Sequence, residues 1–265
     1  MNIAIVIPAR YGSQRFPGKP MVSLRGRSLL ERVWRIAKSV RGVDGVYVAT
    51  EDQRIVAHAE GFGAKVILTS ERCENGTERV REAIQTLAQR PDAVINLQGD
   101  AVLTPPWVVQ ALVDAFHAEP GLPLVTAAMR LSQEQYAELL KLKTASPTSG
   151  TTVTFDRNGR ALYFSKAVIP HLRGGNPTNP LPVYRHIGIY GYATDTLIQL
   201  ATLPQTPLEA AEQLEQLRAL ENGIPIKVVV VDYQNRTHAA VDTPQDIPMI
   251  ERIIDTEGEL LAAEA

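Results

Sequence analysis

The chain has a single cysteine, Cys73, in 265 residues. One thiol excludes an internal disulfide and points to a reducing compartment. Aromatic residues are scarce, at 6%. No apolar run reaches the ~18–20 residues that cross a bilayer. The opening MNIAIVIPAR has no basic stretch ahead of a long apolar core, so it does not read as a secretory leader. Net charge is nearly absent: 27 Lys and Arg stand against 29 Asp and Glu, a formal −2. That balance argues against nucleic acid or a membrane as partner. Internal repeats and low-complexity tracts are also missing. The expectation is a soluble, cytoplasmic protein. With 45% hydrophobic residues, its core needs no disulfide or metal to hold it.

What is present is an alternation. Short β-branched runs at Ile3 to Ile7, Val46 to Thr50, Lys65 to Leu68 and Ala93 to Gln98 predict strands. Between them, helical spacing follows Ser28-Leu-Leu-Glu31, read as a capping box, then Gln53 to Glu60 and Thr77 to Gln89. Thr104-Pro105 opens a further helix. This is an α/β pattern with a mostly parallel, Rossmann-like sheet. Thr151 to Phe155 and Ala161 to Ser165, joined through Asn158-Gly159, predict a hairpin on an Asn-Gly turn. The hairpin belongs to a subregion spanning about 150–192. Ile187 to Ala193 and Ile226 to Val231 predict two more strands. Thr206-Pro-Leu-Glu209 caps a helix running to about Gly223, and Thr243-Pro244 starts the last helix. Thr256 to Ala265 reads as a loosely held tail.

Five stretches could carry chemistry. Ile7 to Pro20, IPARYGSQRFPGKP, holds Arg10, Arg15 and Lys19 and no acid. Backbone N–H groups and cations on such a loop suit a polyphosphate, or make an ordinary basic turn. It is not a Walker A loop. Gln98-Gly99-Asp100 ends a strand, where the carboxylate could hold Mg²⁺ or simply close a turn. In Val241-Asp-Thr-Pro244, Thr243 with Asp246 explains the cap, which leaves Asp242 as a candidate second ligand. Strand alternation puts His186, Gly188, Tyr190 and Tyr192 on one face and Ile187 and Ile189 on the other. Glu209, Glu212, Glu215 and Gln216 share one side of a helical wheel, as a solvated acidic face or as acceptors for sugar hydroxyls.

Taken in order, the Ile7 to Pro20 run, Gly76-Thr-Glu-Arg79, Gln98-Gly-Asp100, Ala161-Leu-Tyr-Phe-Ser165, Arg185-His-Ile-Gly-Ile-Tyr-Gly-Tyr192, Pro207-Leu-Glu209, Leu214-Glu-Gln-Leu-Arg218 and Val241-Asp-Thr-Pro244 resemble the 3-deoxy-manno-octulosonate (Kdo) cytidylyltransferases. The resemblance covers nearly the whole chain. It implies a single nucleotidyltransferase domain over residues 1–265 that transfers CMP from CTP to a sugar acid and releases pyrophosphate, in lipopolysaccharide biosynthesis. It implies that Pro8, Ala9, Arg10, Ser13, Lys19, Thr77, Arg79 and Gln98 bind CTP. Asp100 and Asp242 would bind Mg²⁺, and with Arg10 and Lys19 they would form the catalytic set. Gln98, His186, Tyr190, Glu215 and Gln216 would bind the acceptor. A homodimer is implied, with the hairpin and central loop as contact elements.

This chain also departs from the family pattern. Gly-Asp-Glu-Pro becomes Gly99-Asp-Ala-Val102, the usual lysine falls at Thr152, and the arginine after Tyr-Phe-Ser is Lys166. An ammonium does not copy a guanidinium's two-pronged grip on a carboxylate. These changes leave open a second reading, the same chemistry on another anionic acceptor such as a different ulosonic acid or a phosphonate. A third is a non-catalytic nucleotide-binding paralogue, against which the retained Arg10, Lys19, Asp100 and Asp242 argue.

Overall fold

The protein is described by a computed structural model covering residues 1–12, 16–173 and 180–260. Ser13 and Arg15 of the cationic loop lie outside the described residues.

The strands are β1 (Ile3–Pro8), β2 (Ser23–Leu24), β3 (Arg27–Ser28), β4 (Gly45–Thr50), β5 (Lys65–Leu68), β6 (Ala93–Asn96), β7 (Leu124–Arg130), β8 (Thr152–Phe155), β9 (Ala161–Ser165), β10 (Tyr184–Ala193) and β11 (Ile226–Val231). The helices are α1 (Leu29–Lys38), α2 (Gln53–Gly61), α3 (Gly76–Thr86), α4 (Pro106–Ala118), α5 (Gln133–Ala145), α6 (Thr194–Leu200), α7 (Pro207–Glu212), α8 (Gln216–Glu221) and α9 (Ile247–Glu257). The main sheet has the order β11-β7-β10-β6-β1-β4-β5. Along this path the pairings are parallel except at β10, which runs antiparallel to both β6 and β7; β8 joins the start of β10 antiparallel and carries β9 antiparallel beyond it. The carboxyl ends of β1, β4, β6, β7 and β11 and the start of β10 therefore share one edge.

Alternation along each strand feeds two cores. Ile3, Ile5 and Ile7 pack with Leu30 and Val33 of α1 and Leu112 and Phe116 of α4 on one face. Val6, Val94 and Tyr192 pack with Val80 and Ile84 of α3 and Leu217 of α8 on the other. At ~25 cal/mol per Å² of apolar surface removed from water, these two layers are the main stabilising contribution.

Several expectations change in detail. Ser28 caps α1 by accepting from the Glu31 N–H, but Glu31 turns to Arg35 at 2.9 Å instead of completing the box. In the hairpin turn only Gly159 has a positive φ, at 75°. Asp156 Oδ1 accepts from the N–H groups of Asn158 and Arg160, so the loop is longer than a two-residue Asn-Gly turn. The helix expected from Thr206 to Gly223 breaks at Gln213, whose φ is 54°, into α7 and α8. The break removes the row of acids. Glu209 grips Arg218 through two hydrogen bonds, and Glu212 accepts from Ser165 Oγ and the Lys166 N–H. Within the expected tail, Glu259 pairs with the buried Arg32 at 2.6 Å, which anchors the part up to residue 260, and residues 261–265 lie outside the described residues. β7 and α5 carry no counterpart in the sequence reading.

Candidate active site

Three segments meet at the carboxyl edge: the loop after β1, the start of α3 and the turn after β6. Together they enclose a cleft of about 290 Å³, lined among others by Pro8, Ala9, Arg10, Lys19, Arg79, Gln98 and Asp100. These seven expected residues are thus brought together from positions far apart in the chain. Close approach depends on absent side chains. A Cβ on Gly99 would stand 2.9 Å from the Pro8 carbonyl oxygen, and one on Gly76 would stand 3.2 Å from Gln98 Oε1.

Each charged group has a local cause. Pro20 and the 3₁₀ turn Lys19–Met21 fix Lys19, whose Nζ meets Asp100 Oδ2 at 2.7 Å. Both side chains keep access to solvent, at 16% and 32% exposure. Arg10 is exposed at the rim. Asn75 caps α3 by accepting from the Glu78 N–H at 2.9 Å, so the positive end of the helix points into the cleft. Arg79 lies in the first turns of α3, buried, with Nη1 2.6 Å from Glu51 and 2.6 Å from Thr69 Oγ1. Gln98 Nε2 donates to Asn96 Oδ1 at 3.0 Å. Cys73 also lines the cleft. Burial and the Glu82 carboxylate, to which its Sγ donates at 3.2 Å, push its thiol up to about 11. It is therefore protonated at neutral pH and unsuited to attack as a thiolate.

Asp242 sits on the turn leading to α9. Asp246 Oδ2 accepts from the N–H groups of Asp242 and Thr243. These bonds hold the Asp246 carboxyl below its usual range, the one from Thr243 most strongly, and Lys19 adds to them. Asp246 thus lies within electrostatic reach of Lys19, whereas Asp242 is not among the residues lining the cleft. Among the described residues no three His, Cys, Asp or Glu side chains cluster as a metal cage. Asp100 already accepts a cation, and Mg²⁺ needs only one or two carboxylates when substrate phosphates complete its shell. The donor set fits that ion.

The other expected residues lie elsewhere. Thr77 donates to Glu215 Oε2 at 3.2 Å. Thr77, Tyr190, Glu215 and Gln216 surround a separate cavity of about 30 Å³, room for little more than a water molecule. Burial raises the Tyr190 phenol. His186 is interior rather than on a pocket wall. Its Nε2 pairs with Thr126 Oγ1 at 2.9 Å, and Phe164 and Tyr190 pack on its ring. Burial drives its pKa down to about 3. Of the face expected from alternation, His186, Tyr190 and Tyr192 pack toward the second core, whereas a register shift between Ile187 and Tyr190 interrupts the alternation and leaves Gly188 exposed. Thr152 Oγ1 donates to the Ala167 carbonyl and accepts from the Ile169 N–H, which fixes the segment after Lys166. The sequence reading missed Asn75 and Glu51. The Asn75…Glu78 spacing was a legible cap signal, whereas Glu51 meets Arg79 only through the fold.

A family model described as cytidylyltransferase matches residues 4–228. The chain is 49% identical over 261 residues to a 3-deoxy-manno-octulosonate cytidylyltransferase of Maricaulis maris, covering 98% of this chain and 100% of that one. It is 40% identical over 253 residues to an 8-amino-3,8-dideoxy-manno-octulosonate cytidylyltransferase of Shewanella woodyi, covering 95% and 98%. A solved structure of CMP:2-keto-3-deoxy-manno-octonic acid synthetase complexed with CTP matches with a TM-score of 0.86 at 36% identity, over 97% of this chain and all of that one.

Proposed function

The chain belongs to the cytidylyltransferase family, in its 3-deoxy-manno-octulosonate branch, and from that membership we propose that it transfers CMP from CTP to the anomeric hydroxyl of Kdo or a close relative. The observation that carries the reading is the cleft itself, with Arg10, Lys19 and the N-terminus of α3 facing Asp100 at the sheet edge. The acceptor oxygen attacks the α-phosphorus of CTP. The bond from that phosphorus to the bridging oxygen breaks, pyrophosphate leaves, and the hydroxyl proton passes to water.

Charge accumulates on the α-phosphate and the leaving oxygens, and fixed cations and N–H dipoles stabilise it. Arg10 and Lys19 neutralise the phosphates from one side, and the first N–H groups of α3 receive them from another. Gln98, steadied by Asn96, and Arg79, steadied by Glu51, order the nucleotide side of the cleft. Asp100 and Asp242 offer hard oxygen donors to Mg²⁺, which when bound supplies further neutralisation of the phosphate oxygens. Lys19 would then exchange its carboxylate partner for phosphate. The reaction consumes CTP, which suits the cytoplasm, and its product would feed lipopolysaccharide assembly. Leu162, 63% exposed on the hairpin, offers an apolar contact to a second copy in a homodimer.

Pyrophosphate release tests the proposal. The protein is incubated with CTP, Mg²⁺ and a panel of acids, and release with Kdo is expected. A second reading keeps the chemistry but moves it to another anionic acceptor, such as a different ulosonic acid or a phosphonate. It is favoured by Thr152, whose hydroxyl is committed to backbone where the family pattern has a lysine. Release confined to those acids would establish it, and silence across the panel would overturn both.

A further inference from the structure

The tongue that follows the cationic loop is fastened to the last helix by charge. β2 and β3 pair through Leu24 and Arg27 across a two-residue turn, Arg25-Gly26. Both turn residues have positive φ, 46° and 80°. Such a turn favours Asn-Gly, so an arginine at its first position gives up turn propensity. The side chain is what the position uses. Arg25 Nε donates to Asp255 Oδ1 at 2.8 Å, its Nη2 donates to Asp255 Oδ2, and its backbone N–H donates to Glu251 Oε1 at 3.2 Å. Glu251 and Asp255 stand one turn apart on α9 and so share a face. Glu259 follows just past the helix end and takes Arg32 of α1 through two hydrogen bonds, at 2.6 and 3.1 Å. The Arg32 side chain is 3% exposed, and its Nε and Nη2 also donate to the Leu24 carbonyl at 3.0 and 2.6 Å. A guanidinium so deeply buried requires a carboxylate partner. The platform behind this clasp is firm. Ile250 and Ile254 of α9 are buried in the first core. A second segment holds the far end of the helix, where Arg236 donates to the Gly258 carbonyl at 3.0 Å and the Thr237 N–H to Glu257 at 3.1 Å.

The tongue leads back to the phosphate side of the cleft. The Val22 N–H donates to the Lys19 carbonyl at 3.1 Å, and the Leu29 N–H donates to the Val22 carbonyl at 2.9 Å. A shift of the tongue against α9 therefore moves Lys19. The helix itself begins at Ile247, directly after Asp246, whose carboxyl the Lys19 charge helps to hold low. None of Arg25, Arg32, Glu251, Asp255 and Glu259 lines the cleft, so any effect they have on a ligand there passes through Lys19 and its loop. We propose that Glu251, Asp255 and Glu259 are positioning residues: by clasping Arg25 and Arg32 they set Lys19 in place to bind a triphosphate. The proposal rests on the cytidylyl-transfer reading in one respect, that this triphosphate is CTP.

The test is calorimetric titration of CTP with Mg²⁺, and of inorganic tripolyphosphate, into the full chain and into Glu259→Gln, Glu259→Asp and Asp255→Asn. Affinity for both ligands should fall about ten-fold in Glu259→Gln and about three-fold in Asp255→Asn, with Glu259→Asp between the parent and Glu259→Gln. The sign is diagnostic. Removing a carboxylate makes the chain less negative, and a field effect alone would tighten anion binding. In turnover the KM for CTP should rise while the KM for the acid stays unchanged. A purely structural role would lower the melting temperature and leave both affinities as they are at a temperature where every variant is folded. Unchanged or tighter triphosphate binding in Glu259→Gln overturns the proposal, as does a parent chain that binds neither ligand. Where Glu259→Gln does not fold, Asp255→Asn decides by the same criterion. If tripolyphosphate binding depends on the clasp but no acid yields pyrophosphate, the transfer reading fails and this one stands.

Discussion

At the scale of single residues, the site depends on two kinds of position, one chosen for charge and one for its absence of bulk. Asp100 belongs to the first. Replacing it with alanine should lower pyrophosphate release by about 100-fold or more while leaving the circular dichroism spectrum unchanged, since its side chain pairs with the solvent-accessible Lys19. Near-normal turnover would remove Asp100 from the machinery. Gly99 belongs to the second. Gly99→Ala forces a methyl group against the Pro8 carbonyl oxygen at 2.9 Å, so a loss of about 1–3 kcal/mol in urea unfolding is expected. CTP affinity should fall with it, because Pro8 is on the cleft wall. Full stability in that variant would show that the β1 and β6 loops do not need this approach. Asp100 was legible in the sequence as a carboxylate at a strand end. The need for glycine beside it was not, because the obstructing atom comes from ninety-odd residues upstream.

At the scale of elements, α7 and α8 show where periodicity misleads. A continuous helix would have set Glu209, Glu212 and Glu215 in one row. The left-handed turn at Gln213 instead sends each acid to a different partner: Arg218, the Ser165 hydroxyl with the Lys166 N–H, and Thr77. Glu209 is the most buried of them, with a side chain 7% exposed in its pair with Arg218. Glu209→Ala leaves that arginine without its partner and should cost about 3 kcal/mol, read as a lower urea midpoint. An unchanged midpoint would mean that the break at Gln213 is held by other contacts. The capping boxes at Thr206 and Thr243 were visible in sequence because they are local. β7 was not, since its burial is set by partners distant in the chain, and α5 was missed although its Ser132…Gln135 box is just as local.

At the scale of the whole molecule, the buried histidines make stability depend on pH. His186 falls to about 3 and His238 to about 4, both chiefly through burial, from an ordinary value of 6.5. Between about pH 6.5 and 4 the unfolded chain binds protons that the native state refuses, so stability falls as the pH is lowered through that window. The urea midpoint should drop on acidification from pH 7 to 4.5, and His186→Gln should flatten the slope. A parent midpoint that stays level across that range would contradict the burial of both rings.

The sequence by itself determined the alternation of strand and helix, the cationic loop, the strand-end Asp100 and the family. Each of these is written in neighbouring residues or in a short motif that survives without its surroundings. Only the tertiary structure decided the antiparallel insertion of β10, the interior placing of His186, and the gathering of the loop after β1, the start of α3 and the turn after β6 around one cleft. Those depend on which face of a strand meets which helix, and so on packing between residues that the chain order holds apart.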